Sequence, residues 1–165
     1  MKAKFRQNHF ISISPVALLT LSACGGDGTG STSSAQTITG NIIKGPLSNA
    51  LVFLDLNGNG TMDGSETSVR TDTNGSFSLS ATGSNYTIVA LTDETTVDKS
   101  SGSVLSGITL KAPSGASVVT PTTTLMEEGD LTAAQVAEVL SLPDGVDPLT
   151  FNPFAAGVDA SDALA

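Results

Sequence analysis

Short runs of apolar and β-branched residues, each followed by turn-forming residues, constrain the fold of this chain more than any other feature of its sequence. From residue 37 onward charges are sparse, and Gly, Asn, Pro and Ser separate the runs. Runs of this length, without helical periodicity between them, are typical of antiparallel strands packed as a sandwich. The turn from Asp72 to Gly75 is predicted to join two strands as a hairpin, because Asn-Gly favours positive φ angles. The predicted strands are 37–43, 50–54, 66–71, 76–80, 85–91 and 106–111.

In the last third of the chain the sequence pattern changes from strand-like runs to helix signals. Residues 113–130 are predicted to be an extended connector, since Val118–Leu125 is rich in β-branched residues. Helix signals begin at residue 131, where Thr132 and Gln135 form a capping box, and Asn152-Pro153 and Asp159 are further helix-start candidates. The predicted fold is therefore mainly β, with a small antiparallel β-sandwich over residues 37–112 and a short α-helical segment over residues 131–165.

A stretch of twelve residues, 55–66, carries oxygen atoms at the spacing of a calcium loop of the EF-hand type. Side-chain oxygens occupy positions 1, 3, 5, 9 and 12, Gly60 occupies position 6, and residue 7 offers its carbonyl. Strand-like flanks predict a structural loop rather than a sensor, which would need helices. A polar turn without an ion is the alternative. The predicted Ca²⁺ ligands are Asp55, Asn57, Asn59, Thr61, Asp63 and Glu66.

Two segments around this loop, Gly45–Gly60 and Thr71–Leu79, resemble the calcium-binding B-type repeats of bacterial surface adhesins. They are also similar to the broader class of prealbumin-like sandwich domains. The resemblance covers residues 37–92, about a third of the chain. It implies a prealbumin-like fold and use as a stalk or spacer in an exported protein. In these repeats the acidic residue of the following turn can lie near the ion, which makes Asp72 an additional candidate ligand.

Residues 119–125 and 144–153 are similar to segments that follow such sandwiches in longer surface proteins of marine bacteria. This similarity implies that the chain is a truncated or naturally shortened form.

The N-terminus resembles a bacterial lipoprotein signal. Three basic residues precede an apolar stretch of about a dozen residues, which suits a signal peptide and is too short to cross a bilayer. The sequence Leu21-Ser22-Ala23-Cys24 resembles a lipobox, in which the Cys is diacylated; an ordinary secretory signal is the alternative. We therefore expect a signal peptide over residues 1–23, lipidation at Cys24 and a lipidated flexible tether over residues 24–36. Gly25 after the Cys favours the outer membrane of a bacterial cell envelope, and surface exposure is left open.

The amino-acid composition excludes several classes of catalytic and binding site. Removal of residues 1–23 leaves 4 basic residues, 16 acidic residues, no His and a single Cys. Such a chain cannot supply a Ser-His-Asp triad or a Cys/His zinc site, and it lacks the Lys/Arg clusters that bind nucleic acid. An enzyme would have to use carboxylates, either Glu127 with Glu128 or Asp144 with Asp147, and we expect no enzyme.

The aromatic residues bear on glycan binding, which favours exposed ring platforms. Phe53 and Phe77 alternate with strand neighbours and are predicted to lie in the core rather than on an exposed platform.

Taken together, the sequence features predict a membrane-anchored, calcium-stabilised, non-catalytic surface lipoprotein that acts as a spacer, adhesion or assembly module. Its expected partners are the membrane, through Cys24, and a cell-surface protein or glycan. The alternatives are a carbohydrate-binding module and the N-terminal part of a larger secreted enzyme or adhesin.

The lipobox predicts acylation of Cys24. Metabolic labelling with a fatty-acid analogue should mark the wild-type protein and leave Cys24→Ser unlabelled, because the thiol is the acceptor. Equal labelling of the two proteins would contradict the prediction.

Overall fold

The computed structural model describes residues 35–156 and residue 158. The predicted signal peptide, Cys24, the tether up to residue 34 and the helix-start candidate Asp159 lie outside these residues. Across the described range, no helix has both the length and the apolar character that crossing a membrane requires.

The described residues form nine strands and two helices. The first strand begins two residues before the predicted start of the sandwich, at Ala35. The elements are β1 (Ala35–Ile42), β2 (Leu47–Ser48), β3 (Leu51–Asp55), β4 (Ser68–Arg70), β5 (Ser76–Thr82), β6 (Thr87–Leu91), β7 (Val97–Asp98), β8 (Thr109–Pro113), β9 (Val118–Val119), α1 (Pro121–Gly129) and α2 (Ala133–Val139).

Two sheets carry the sandwich. One has the strand order β5-β1-β9 and the other β4-β3-β6-β8, while β2 and β7 form a separate ribbon. All pairs are antiparallel except β1 with β9, where Asn41 and Ile42 run parallel to Val118 and Val119. Apolar residues of both sheets form one core, and the predicted fold class, mainly β with short helices near the C-terminus, is confirmed.

The larger sheet is buried on both faces at β3 and β6. Val52 and Ile88 belong to the core between the sheets. Phe53 and Val89 alternate with them along the strands and are fully buried on the opposite face. Helix α1 covers this second face, since Thr87 of β6 donates a hydrogen bond to Glu127 of α1 at 3.0 Å. Strand β3 is therefore fixed by packing on both sides.

The predicted hairpin around Asp72–Gly75 is wrong. Strand β4 pairs with β3, and β5 pairs with β1, so this turn joins the two sheets. Thr71 explains the crossing, because its hydroxyl donates to the Leu47 carbonyl at 2.5 Å and accepts the Ala50 N–H at 2.9 Å. Those bonds hold the end of β4 against the segment that enters β3.

Helix α1 replaces part of the predicted extended connector. Thr120 is its N-cap and accepts the Thr123 N–H at 3.0 Å, while the Thr123 hydroxyl accepts the Thr120 N–H at 2.8 Å. The Thr123 hydroxyl also donates to the Lys111 carbonyl at 2.7 Å. The start of the helix is therefore attached to β8.

The capping box of α2 is confirmed. Thr132 and Gln135 exchange the expected hydrogen bonds, and the helix ends at Val139. Residues 140–156 form turns rather than the predicted helix. Asn152 caps one of these turns, since its side-chain oxygen accepts the Phe154 N–H at 2.9 Å. A proline after an Asn thus started a turn here and not a helix.

Candidate metal centre

The candidate calcium loop connects β3 to β4. Asp55 is the last residue of β3 and only 3% exposed. The base of the loop is closed by the pairing of Phe53 with Ser68 and by a hydrogen bond from the Leu54 N–H to the Thr67 carbonyl at 3.2 Å. The loop therefore begins at a buried residue, and the two strands that it joins are hydrogen-bonded to each other at its base.

The Asp55 carboxylate is surrounded by the backbone that follows it. Its Oδ1 accepts the N–H groups of Asn57 at 3.2 Å and Gly58 at 2.7 Å, and its Oδ2 accepts the N–H of Gly60 at 2.7 Å. Gly58 and Gly60 have φ angles of 74° and 69°, in the left-handed region that glycine adopts without steric cost. The two glycines thus allow the chain to wrap around one carboxylate.

The side chains of Asn57 and Asn59 point to a common partner. Their Oδ1 atoms accept the N–H groups of Asn59 at 3.0 Å and Thr61 at 2.7 Å. Their Nδ2 atoms both donate to Oδ2 of Asp63, at 2.7 and 2.9 Å. The structure therefore brings together the side chains at positions 3, 5 and 9 of the predicted ligand set.

Glu66 closes the loop from the other end. Its Oε1 accepts the Leu56 N–H at 2.9 Å, and its Oε2 accepts the Asp63 N–H at 3.0 Å. Asp55 and Glu66 are thus both turned towards backbone N–H groups. Within residues 35–156, no group of three or more His, Cys, Asp or Glu side chains is arranged to hold a metal ion.

The structure does not bring Asp72 to this loop, so its assignment as an additional ligand is corrected. From Ser68, which pairs with Phe53 beside the loop, β4 runs away towards Arg70, which pairs with Leu51. Asp72 lies four residues beyond Ser68, a separation of roughly 13 Å along an extended strand. Its Oδ1 instead accepts the N–H groups of Asn74 at 2.8 Å and Ser76 at 2.9 Å.

One basic residue near the loop was not found from the sequence. The Lys111 Nζ lies 3.9 Å from the point that a β-carbon on Gly60 would occupy, and it pairs with Glu128 at 2.6 Å. A hollow of about 300 Å³ adjoins the loop and is lined in part by Asp55, Asn57 and Tyr86. No sequence signal links these residues, because α1, β8 and the loop meet only through tertiary packing.

Three of the four carboxylates considered for catalysis have other partners, and the fourth is exposed. Glu127 accepts from Thr87, and Glu128 pairs with Lys111. Asp147 accepts the Leu149 N–H of its own turn at 2.9 Å, and Asp144 is exposed. These four side chains are therefore placed in helix-to-sheet contacts or in a surface turn.

The aromatic residues divide between core and surface. Phe53 and Phe77 are buried, as predicted, and Tyr86 is 9% exposed. Phe154 is 51% exposed in the turns that follow α2. An exposed ring is thus present in the C-terminal turns, away from the sandwich core.

Comparisons of the chain with family models, with curated proteins and with solved structures gave no match. Function is therefore inferred from the residues and their geometry.

The geometry predicts that Asp55→Ala destabilises the protein even without calcium. Three backbone N–H groups would lose their acceptor at a position where the side chain is buried. We expect a loss of about 1–3 kcal/mol in the free energy of unfolding, measured by urea denaturation in the presence of a chelator. The exposed Asp144 provides the control, since Asp144→Ala should stay within about 0.5 kcal/mol of wild type. Equal stabilities of the two variants would contradict this role of Asp55.

Proposed function

We propose that the protein is a non-catalytic, membrane-anchored lipoprotein of the bacterial envelope whose β-sandwich is stiffened by calcium. It acts as a spacer, adhesion or assembly module. The observation that carries this proposal is the hydrogen-bonded loop 55–66, which gathers oxygen-bearing side chains between two strands of the larger sheet.

The donor set suits calcium. Three carboxylates, two side-chain amides and a backbone carbonyl are all hard oxygen ligands, and Ca²⁺ takes six to eight of them in flexible geometry. An oxygen that accepts a single N–H, such as Asp55 Oδ2 or the Oδ1 atoms of Asn57 and Asn59, keeps a second lone pair that can bind an ion. Within residues 35–156, nothing donates a hydrogen bond to the Thr61 carbonyl. That carbonyl is the backbone oxygen expected at position 7 of the loop.

Charge also supports an ion at this loop. Asp55, Asp63 and Glu66 place three carboxylates within twelve residues, and like charges at short range oppose one another. The backbone N–H groups, the two Asn amides and Lys111 offset part of this repulsion. A divalent cation would offset the remainder and draw Asp55 and Glu66 towards the same point as Asp63.

The surroundings of the loop favour a structural role over a sensing role. A sensor loop moves two helices apart and opens an apolar groove, whereas this loop joins two paired strands, and β3 is buried on both faces. An ion would therefore fix the end of the β3–β4 hairpin without rearranging the core. Such stiffening is useful in a module that holds another part of a surface protein away from the membrane.

The proposed lipid anchor at Cys24 would hold the folded module close to the membrane. Ten residues rich in Gly and Ser, 25–34, separate Cys24 from the first strand, which begins at Ala35. A flexible chain of that length reaches roughly 20 Å. The folded module would thus stand off the lipid surface by a distance comparable to its own strands.

Calcium should raise the melting temperature of the protein. An ion at about ten to a hundred times its dissociation constant stabilises the folded state by roughly 1.4–2.7 kcal/mol, which corresponds to several degrees in a small domain. Asp63→Asn is the variant of choice, because it removes one charge and leaves an oxygen that can still accept from Asn57 and Asn59. We expect this variant to lose most of the calcium-dependent shift measured by differential scanning calorimetry.

Asp72→Asn is the matched control, since it makes the same chemical change at the opposite end of the hairpin, and it should keep the full shift. Magnesium should reproduce the shift poorly, because Mg²⁺ demands octahedral geometry and gives up water reluctantly. A full calcium response in Asp63→Asn, or an equal response to magnesium in wild type, would refute the proposed site.

A further inference from the structure

An open apolar groove lies between the first turn after β1 and the C-terminal turns. Its volume is about 320 Å³, and it also takes in the start of α1. The walls are mostly apolar, with four prolines and two phenylalanines among them. The lining includes Ile43, Lys44, Leu142, Val146, Phe151 and Phe154.

Backbone contacts with the sandwich fix the position of both walls of the groove. On one side, Ile43 and Pro46 form a β-bridge across the tight turn Lys44-Gly45, and a β-carbon on Gly45 would collide with Ser100. On the other side, the N–H groups of Ser117 and Val118 both donate to the Leu149 carbonyl, at 2.9 and 3.3 Å. The groove is thus formed by backbone that is already tied to the sandwich.

The charge of the groove is opposite to that of the chain. Lys44 is the only charged residue that lines it, and the chain as a whole carries a net charge of −9. A neighbouring hollow of about 360 Å³ shares Ile43 and Phe154 with the groove, and Lys99 is its only charged lining residue.

The other basic residues of the described chain are engaged elsewhere. Arg70 pairs with Asp93 at 2.6 Å, and Lys111 pairs with Glu128 at 2.6 Å. Within residues 35–156, Lys44 and Lys99 form no ion pair. The two lysines left without a carboxylate partner thus line two adjoining hollows.

One carboxylate, Asp98, lies beside the turn that carries Lys44. Asp98 lies beside Gly45, but its Oδ1 already accepts the N–H of Ser100 at 2.9 Å and the Ser100 hydroxyl at 2.7 Å. These hydrogen bonds, from Ser100 first, and the weaker attraction of the Lys44 charge hold the pKa of Asp98 below its ordinary value. Among the described residues, Lys44 and Asp98 form no ion pair, so the exposed Lys44 ammonium can still pair with a carboxylate in the groove.

We propose that this groove binds a small amphiphile with one apolar chain and an anionic carboxylate head. The chain lies against Leu142, Val146 and Phe151, where burial of each methylene is favourable, and the carboxylate pairs with Lys44. The volume is at the small end of ligand pockets, which suits a single chain rather than a bulky ring system. This inference rests on neither the calcium loop nor the lipid anchor.

The test uses sodium decanoate and the full chain with Cys24→Ser, so that no acyl group is attached. Isothermal titration calorimetry should show saturable binding of one decanoate per chain. Shorter carboxylates should bind about fourfold more weakly for each methylene removed. Decyltrimethylammonium, which has the same chain and the opposite charge, should bind at least tenfold more weakly.

Two variants separate groove binding from non-specific adsorption. Lys44→Gln should weaken decanoate binding at least fivefold, and Val146→Trp should abolish it by filling the groove. Arg70→Gln is the control for loss of a positive charge outside the groove and should bind decanoate as wild type does. If Val146→Trp proves unstable, Lys44→Gln decides, because Lys44 is exposed and its replacement leaves the fold intact.

Absence of saturable decanoate binding would overturn the proposal. So would equal affinity for the anionic and cationic amphiphiles, or equal weakening by Lys44→Gln and Arg70→Gln.

Discussion

The carboxylate of Asp55 organises the part of the molecule to which we assign a function. It sits at the buried end of β3, the strand that is packed on both faces, and it accepts three backbone N–H groups from the loop that follows. A buried carboxylate is costly unless such donors surround it. The core of the sandwich thus fixes where the carboxylate lies, and the carboxylate in turn fixes how the loop folds.

The contacts that stabilise the sandwich are separate from the contacts that shape the loop. The apolar core, the two-sided burial of β3 and β6, and the attachment of α1 to β8 do not involve the loop, so we expect the sandwich to form without an ion. In the loop itself, side-chain amides and backbone N–H groups donate to the three carboxylates, and the Lys111 ammonium lies close to Gly60. A cation at this point would act on the stiffness of one hairpin end, which is the property that a spacer module requires.

Local chemistry was predictable from the sequence, whereas long-range pairing was not. The capping box of α2 depends on residues three positions apart, and the structure contains its hydrogen bonds, whereas the ligand set of the loop stays a prediction. The predicted Asp72–Gly75 hairpin failed because Thr71 is bound to residues more than twenty positions earlier. Helix α1 was missed because its β-branched residues suggested a strand, although Thr120-Pro121 already provides an N-cap and a first-turn proline.

Amide hydrogen exchange at Gly58 and Gly60 tests most directly whether the loop wraps around Asp55 and binds calcium, because these two N–H groups donate to Asp55. Exchange should be measured by NMR on the calcium-free protein and again at saturating calcium. We expect both amides to be protected without calcium and at least tenfold more protected with it, since the ion would lock the loop. Exchange at the rate of an unstructured peptide in both states would show that the loop neither wraps around Asp55 nor binds the ion.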